Sequence, residues 1–527
     1  MGLERILDLP PELVLVCLSH LSLDDIRACL KAGNRTLTEI IVGSVEIQYR
    51  FEQARAGVQG NPYRSPMPAI STRLQDLRER EANWLNFTPS SRTRVHFRFQ
   101  PTGIYDLASD IYSLFDDPDG TVHTKIKYTS LKYTTGFPGS HWKYIDVGKP
   151  VVDSGTALAE HDLIAIATRT PCTEDGELVE LEIMLLEFST GEPHPLATRP
   201  TIYIHTIELD RGEPFMVVDI LGNNLVICVL YLSDEPDEMN ELHLYNWRTG
   251  IWLLSIPVDN IGFTFLTPDI LVVPSCIDAW LEVFRITRSE EEADLGYTHL
   301  GRFGLPRLAE GRILVSIQCS GKPHPHSGVS RPSHARFVRD AGDSVVLFSC
   351  EIHDEITDNH WHETLVVSRP LLHALLPETG TTYPSASSVV PWEEWGPRCA
   401  RWLDCTRWAT RYPMSSCGAR VVAIGAHATQ APTPIQILDF NPVHVRSGEQ
   451  RSQETTHSAR TVVGGADEEG YAAPCFAARV HSELPYLEIT SKEVFEYGAV
   501  LINNEDIIGV TFGEDAYVRA MEFLHFG

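Results

Sequence analysis

The chain has 527 residues, 43% of them hydrophobic and 22% charged, so it is a globular sequence too long for one ordinary core. Its 71 acidic against 43 basic residues give a net charge of -28, and a surface of that sign repels a phosphate backbone, so no nucleic acid partner is expected. No apolar run approaches the roughly 18 residues that a bilayer span needs, so no membrane partner is expected either. The N-terminus, with Glu4 and Asp8, lacks the basic head and apolar stretch of a signal peptide. The 11 cysteines are irregularly spaced and several sit in apolar runs such as NNLVICVL and DSVVLFSC. They read as small buried hydrophobes of a reducing, intracellular compartment, cytoplasmic or nuclear, and not as a disulfide framework.

The first elements are short helices. Pro11 suits a first helical position and Glu12 comes next, at the positive end of the helix dipole. Leu13, Cys17 and Leu21 fall on one stripe, with Val14 and Leu18 beside it. Ser22 to Asp25 reads S-L-D-D, a capping-box-like start for a second helix whose apolar side is Ile26, Cys29 and Leu30 and whose stop is Gly33. A third helix is expected over residues 37–42. Ser44 caps a fourth, with Ile47, Phe51 and Ala54 in line and Gly57 ending it. A unit of this size has a thin core. Its apolar surplus is covered either by the rest of the chain, as a cap, or by a partner.

The stretch LDLPPELVLVCLSHLSLDDIRACLKAGNRTLTEII resembles an F-box, including the L-P-x-E-L start at Leu9, Pro10, Pro11, Glu12 and Leu13. Leu18 and Leu21 match the paired apolar positions before the turn, and residues 22–26 match the turn itself; the tryptophan that many members carry near residues 36–37 is absent. The segments SVEIQYRFEQARAGV and ISTRLQDLREREANWLNF are similar to the region C-terminal to the F-box in fungal F-box proteins. The resemblance implies docking onto a Skp-type adaptor, and through it a cullin–RING (SCF) ubiquitin ligase. Its adaptor contacts would be Leu9, Pro10, Pro11, Glu12, Leu13, Cys17, Leu18, Leu21, Leu23, Ile26 and Leu30.

Gln59-Gly60-Asn61-Pro62 and Ser65-Pro66-Met67-Pro68 break the helical pattern, and residues 70–84 resume it with Leu74, Leu77 and Trp84 as a bridging helix. From about residue 95 short β-type runs take over, beginning with VHFRF, GIYDL and IYSLF. Two elements recur. One is an apolar strand led by a polar residue: HDLIAIAT, NNLVICVL, PDILVVPS, DSVVLFSC, ARVVAIGA and EDIIGVTF. The other comes after most copies: EIMLLEFSTGE, ELHLYNWRTGI, LEVFRITRS, PIQILDFNPV and YVRAMEFLHF. Copies lie roughly 45 to 85 residues apart, wider than ordinary propeller repeats, which inserted loops explain. The order resembles divergent WD-type repeats, against an irregular pair of β-sandwiches as the competing fold. The expected architecture is a small all-α N-terminal F-box followed by a large all-β domain, a six- or seven-bladed β-propeller. The segments are 1–58 for the F-box and following helix, 59–94 for the linker and bridging helix, and 95–527 for the propeller-like recognition domain.

Chemistry is sparse. No phosphate loop, dinucleotide fingerprint or nucleophile elbow occurs. His353, Asp354, Asp358, His360 and His362 crowd EIHDEITDNHWHET, but no H-E-x-x-H helix frames them and the stretch reads as a loop, so no metal and no cofactor is expected. His324 and His326 lie in a Pro/Gly-rich turn. Cys399, Cys405 and Cys417 lack metal spacing and a recognisable base. Their segment is rich in tryptophan and arginine: Trp392, Trp395, Trp402 and Trp408, with Arg398, Arg401 and Arg407 between them. Trp395, Arg398, Trp402 and Arg407 are the candidate substrate contacts; packing of the tryptophans against blade faces is the alternative. The acidic loops at 233–241 and 288–294 read as solvated connections.

The expected function is therefore a non-catalytic substrate receptor for ubiquitin-dependent degradation, holding an unknown target protein. An adaptor-binding propeller scaffold without ubiquitin transfer, and a propeller enzyme with a central site, are the alternatives.

Overall fold

The computed structural model describes residues 9–61, 66–96, 101–108, 111–116, 124–130, 142–173, 178–208, 214–231, 240–260, 262–287, 296–321, 336–340, 342–377, 389–403, 414–425, 432–449, 458–463, 471, 473–513 and 518–527. A small helical region precedes a large all-β domain.

Helix α1 spans Pro11–Ser19, α2 Leu23–Lys31, α3 Arg35–Gly43 and α4 Val45–Ala56. Their ends are set by the capping chemistry written in the sequence. The Ser22 hydroxyl accepts from the Asp25 amide while the Asp25 carboxylate reaches back to Ser22, a complete capping box. Asn34 and Ser44 cap α3 and α4 through the amides of Leu37 and Ile47. Gly57 ends α4 at φ +61°, a left-handed position that favours glycine. Val14, Leu18, Ile26, Leu37, Ile41 and Ile47 form the core of this unit, and the apolar side chains packed on it all come from helical residues or the turns between them. Helix α5, Ile70–Asn86, extends two residues past the expected stretch and buries Leu74, Leu77, Arg80 and Trp84.

Among the described residues, seven sheets of four or five strands succeed one another in chain order, over residues 101–146, 151–208, 215–257, 264–304, 312–403, 415–495 and 499–525, antiparallel throughout except that Val389–Val390 joins the fourth in parallel. The two repeated sequence elements are the second and third strands. Leu163–Pro171, Asn224–Leu230, Ile270–Ser275, Val345–Asp354, Arg420–Ile424 and Asp506–Phe512 are the second strands of sheets two to seven. They are nearly continuous apolar runs because a neighbouring sheet covers each face. Burying each such Ile, Leu or Val contributes about 1.5–3 kcal/mol.

Each sheet shares an apolar cluster with the next: Tyr128 with Val151 and Phe188 joins the first to the second, Leu163 with Val218 and Ile227 the second to the third, and Val226 with Phe265 and Leu271 the third to the fourth. Leu281 with Phe348, Leu347 with Val421, and Ile437 with Ile507 continue the series. Tyr112 of the first sheet packs with Leu501, Met521 and Phe523 of the seventh. Polar brackets bind the same joints. The His161 ring and the Trp247 indole N–H both meet the Gly222 carbonyl at 2.8 Å, and Asn260 exchanges two hydrogen bonds with the Ile317 backbone at 2.8 and 2.9 Å.

The seventh sheet takes its outer strand, Ser91–His96, from the N-terminal side, paired with Val518–His525. No disulfide joins the described cysteines. No helix among the described residues is long and apolar enough to cross a membrane.

Candidate interaction surfaces

The helical unit is apolar on two sides. Val14, Leu18 and Ile26 point into its own core, at 1%, 4% and 0% exposure. Leu18 and Ile26 are therefore removed from the expected adaptor contacts: they hold the helices together. Leu21, Leu23 and Leu30 are half-buried against the same core. Leu9, Pro10, Pro11, Glu12, Leu13 and Cys17 stand on the surface, and Leu13 is half exposed at 50%. Val16, at 55%, joins them. The sequence reading missed it, although it lies three residues from Leu13, where helical spacing puts it on the same side. Leu13, Val16 and Cys17 thus make an exposed apolar stripe on α1, with Leu9 exposed just ahead of the helix.

The opposite end of the helical region is fastened to the β domain. Val58–Gly60 pairs with Phe337–Arg339, the Arg339 guanidinium donates to the Ala56 carbonyl at 3.1 Å, and the Asn441 amide donates to the Arg55 carbonyl at 2.9 Å. Trp84 stacks on Phe526 with ring centroids 4.3 Å apart. Between them lies a buried ionic network. Arg420 donates to Glu81 at 2.5 Å and to Asp439 at 3.1 Å, while its guanidinium covers the Trp84 ring at 4.9 Å. Arg80 pairs with Glu81 and donates to the Asn504 carbonyl at 2.6 Å. The His444 ring meets Asp439 at 2.8 Å. Burial alone would raise the Glu81 carboxyl, but Arg420, Arg80, Arg339 and His444 outweigh it and hold the group down at about 2. Asp439 is likewise held below the usual carboxylate range, with burial outweighed by His444 and Arg420. Burial lowers Arg339 to about 9, with Arg420 and Arg80 adding to the effect. No local motif announces this network, since Glu81 and Arg420 are 339 positions apart.

A cavity of about 410 Å³ takes lining residues from all seven sheets: Leu107, Ser154, Asp219, Phe263, Cys319, Ser416 and Ile502 stand on, or next to, the first strand of each. Gly155 is required there, because a Cβ would stand 2.5 Å from the Val218 carbonyl oxygen.

The tryptophan-rich segment is core. Trp392–Cys399 is helical, and Trp392, Trp395 and Trp402 are 5%, 1% and 4% exposed, packed with Phe303 and Phe476. The Trp395 N–H donates to the Gly304 carbonyl at 2.8 Å. Trp395 and Trp402 are thereby withdrawn as substrate contacts, because the apolar faces of two sheets enclose their rings. Arg398 remains exposed, and Arg407 lies outside the described residues. The histidine-rich stretch is not a plain loop. Its strands run through Asp354 and from His360, leaving only a short turn between them. His324, His326 and most of both acidic loops lie outside the described residues.

No family model matches the sequence, and no curated protein matches it. Several solved structures are similar at low identity. The WD40 domain of SCAP from fission yeast is 9% identical over 72% of this chain and 81% of that one, with a TM-score of 0.29. The β-propeller domain of the Trilobed protease from Pyrococcus furiosus is 8% identical over 64% and 93%, with a TM-score of 0.27. Kluyveromyces lactis Hsv2 is 12% identical over 39% of this chain and 62% of that one, at 0.26, so the chain spans less than two thirds of that protein.

Proposed function

We propose that the chain is the substrate-receptor subunit of a cullin–RING ubiquitin ligase, with the α1 stripe docking a Skp-type adaptor and a seven-bladed β-propeller holding a target protein. The observation that carries the reading is the exposed stripe of Leu13, Val16 and Cys17 on a helix whose other side is already satisfied, with Leu9 exposed just ahead of it. A cap on the β domain would bury that stripe against sheet residues. Here the fastening to the β domain runs through α4, α5 and the strand between them instead. An apolar helix face rimmed by Pro10, Pro11 and Glu12 is the kind of surface that an apolar groove accepts. The propeller assignment is supported by seven successive sheets, a shared apolar cluster at every joint including seventh to first, and one cavity lined from all seven.

The mechanism is proximity. The receptor raises the effective concentration of target lysines near the ubiquitin-carrying partner and performs no bond chemistry itself. The test is co-elution of the full chain with a purified Skp-type adaptor, beside a Leu13→Asp/Val16→Asp variant. A complex formed by wild type and lost in the folded variant is expected. No complex with wild type would overturn the reading. Ubiquitin transfer by the reconstituted ligase to a captured protein separates the receptor from an adaptor-binding scaffold.

A further inference from the structure

The fifth sheet carries a cluster of metal-ligating side chains that neither the sequence spacing nor the ligase reading accounts for. In the register of its central hairpin, His353 stands opposite His360, and Glu351 opposite His362. Side chains alternate along a strand, so these four share one face of the hairpin. Directly opposed residues have Cβ atoms about 4.5–5.5 Å apart. The imidazoles of His353 and His360 accordingly stack, with centroids 4.5 Å apart and planes 24° from parallel.

The turn adds a carboxylate. Asp358 takes φ +58°, and its Oδ1 lies 3.0 Å from Nε2 of His353. Ligand atoms of His353, Asp358 and His360 all lie within 4.8 Å of one another. Ligands 2.0–2.1 Å from a tetrahedral zinc ion stand about 3.3 Å apart, so small rotations of these side chains close the set.

The frame around the three groups is held on several sides. Asp354 accepts from the amides of Ile356 and Thr357 at 2.9 and 3.0 Å, and the Asp358 amide donates to the Asp354 carbonyl at 2.8 Å. Glu355 donates its amide to the Gly311 carbonyl at 2.9 Å, which ties the turn to the neighbouring strand. Glu351 Oε1 lies 3.2 Å from Nδ1 of His360. A carboxylate on one ring nitrogen fixes the tautomer and leaves the other nitrogen to ligate, the usual outer partner of a metal-bound histidine.

We infer that His353, His360 and Asp358 bind a divalent transition cation of the zinc class, with Glu351 as the positioning residue and a fourth coordination position open to solvent. Two imidazoles and one carboxylate suit Zn²⁺ or Ni²⁺ over Mg²⁺ or Ca²⁺, which prefer all-oxygen shells. The ion takes the place of the hydrogen shared between His353 and Asp358, since metal ligands bind in their deprotonated forms. The inference stands apart from the ligase reading, and neither depends on the other.

The test uses untagged, chelator-stripped full chain titrated with Zn²⁺ alone, by calorimetry and by equilibrium dialysis with elemental analysis. One equivalent bound at pH 7.5 is expected, with loss of affinity of about 100-fold or more in His353→Ala and in His360→Ala, about 10-fold in Glu351→Gln, and no change in His362→Ala. The three histidines lie on the hairpin's outward face, and circular dichroism checks that each variant is folded. Failure of wild type to bind one equivalent at micromolar Zn²⁺ overturns the inference. So does binding that survives in a His353→Ala/His360→Ala double variant, because the ion would then sit elsewhere.

Discussion

Replacing Glu81 by glutamine is expected to loosen the joint between the helices and the β domain, and the structure sets the size of the effect. The carboxylate sits between Arg420 and Arg80, both with side chains 1% exposed, while its own side chain is 13% exposed. Its ionisation is held down from the ordinary 4.5 to about 2. At 1.36 kcal/mol per unit, that displacement corresponds to about 3 kcal/mol of stability, similar to the roughly 3–5 kcal/mol lost when one partner of a buried ion pair is removed. The sign is that of a depressed carboxylate. Its contribution is complete above a pH of about 4.5 and is lost as the pH falls towards 2, where the folded protein takes up the proton. Asp439 shifts in the same direction and deepens the acid limb. The assay is urea unfolding of wild type and Glu81→Gln at neutral pH and again between pH 5 and 3. Glu81→Gln should lose about 3 kcal/mol at neutral pH and show a flatter acid limb than wild type. A loss within the roughly 0.5 kcal/mol of an ordinary surface change, or an unaltered acid limb, would refute the argument.

The two sides of α1 should separate cleanly in the same unfolding assay. Leu13→Asp, on the exposed side, is expected within about 0.5 kcal/mol of wild type, whereas Leu18→Ala, at 4% exposure, should cost about 2–5 kcal/mol. Trp395→Ala should cost about 3–5 kcal/mol in thermal or urea melts, as expected of a core indole that also gives up its bond to Gly304. Gly155→Ala should cost about 1–3 kcal/mol by urea melt, since its new methyl meets the Val218 carbonyl across the joint between the second and third sheets.

The parts of this fold legible in the sequence are those whose chemistry is local. Ser22, Ser44 and Gly57 mark helix ends because capping is settled within three or four residues. The second strands show as repeats because both of their faces are buried, which forces apolar runs such as LIAIA at 163–167, and the third strands show through alternation, as in ELHLYN at 241–246, where Leu242 and Leu244 are buried. The first strands of the second and sixth sheets stayed hidden because they line the cavity with small and polar residues, Asp153, Ser154, Gly155 and Thr156 in one and Ser415 and Ser416 in the other. The third strand of the fifth sheet escaped because it opens with HWHET, where the facing histidines break the apolar pattern. For the exposed stripe, periodicity finds apolar residues on both sides of α1 but cannot say which side the protein covers. Only the packed structure divides Val14 and Leu18 from Leu13 and Val16. The tryptophans mislead for a related reason, because the residue type that anchors an interface also anchors a core.

The joint also bears on how the two ends could work together. A buried ion network is an uneconomical source of stability, since desolvation cancels most of the attraction, and its better-attested use is to fix one geometry. Here the network is flanked by a two-stranded pairing at Val58–Gly60, a backbone clasp at Ala56 and Arg55, and an aromatic stack at Trp84. These attachments reach chain segments near residues 337, 441 and 526, which belong to different parts of the β domain. The helical region therefore cannot pivot about any one of them without breaking the others. On the receptor reading, a flexible tether would spread a captured target over a large volume, whereas a fixed arm would concentrate it at one place relative to the α1 stripe. Under the receptor reading, loosening the joint with Glu81→Gln should leave adaptor binding through Leu13 and Val16 intact while lowering transfer to a captured target. Equal transfer by wild type and by a demonstrably loosened joint would separate rigidity from function and leave the network with a folding role alone.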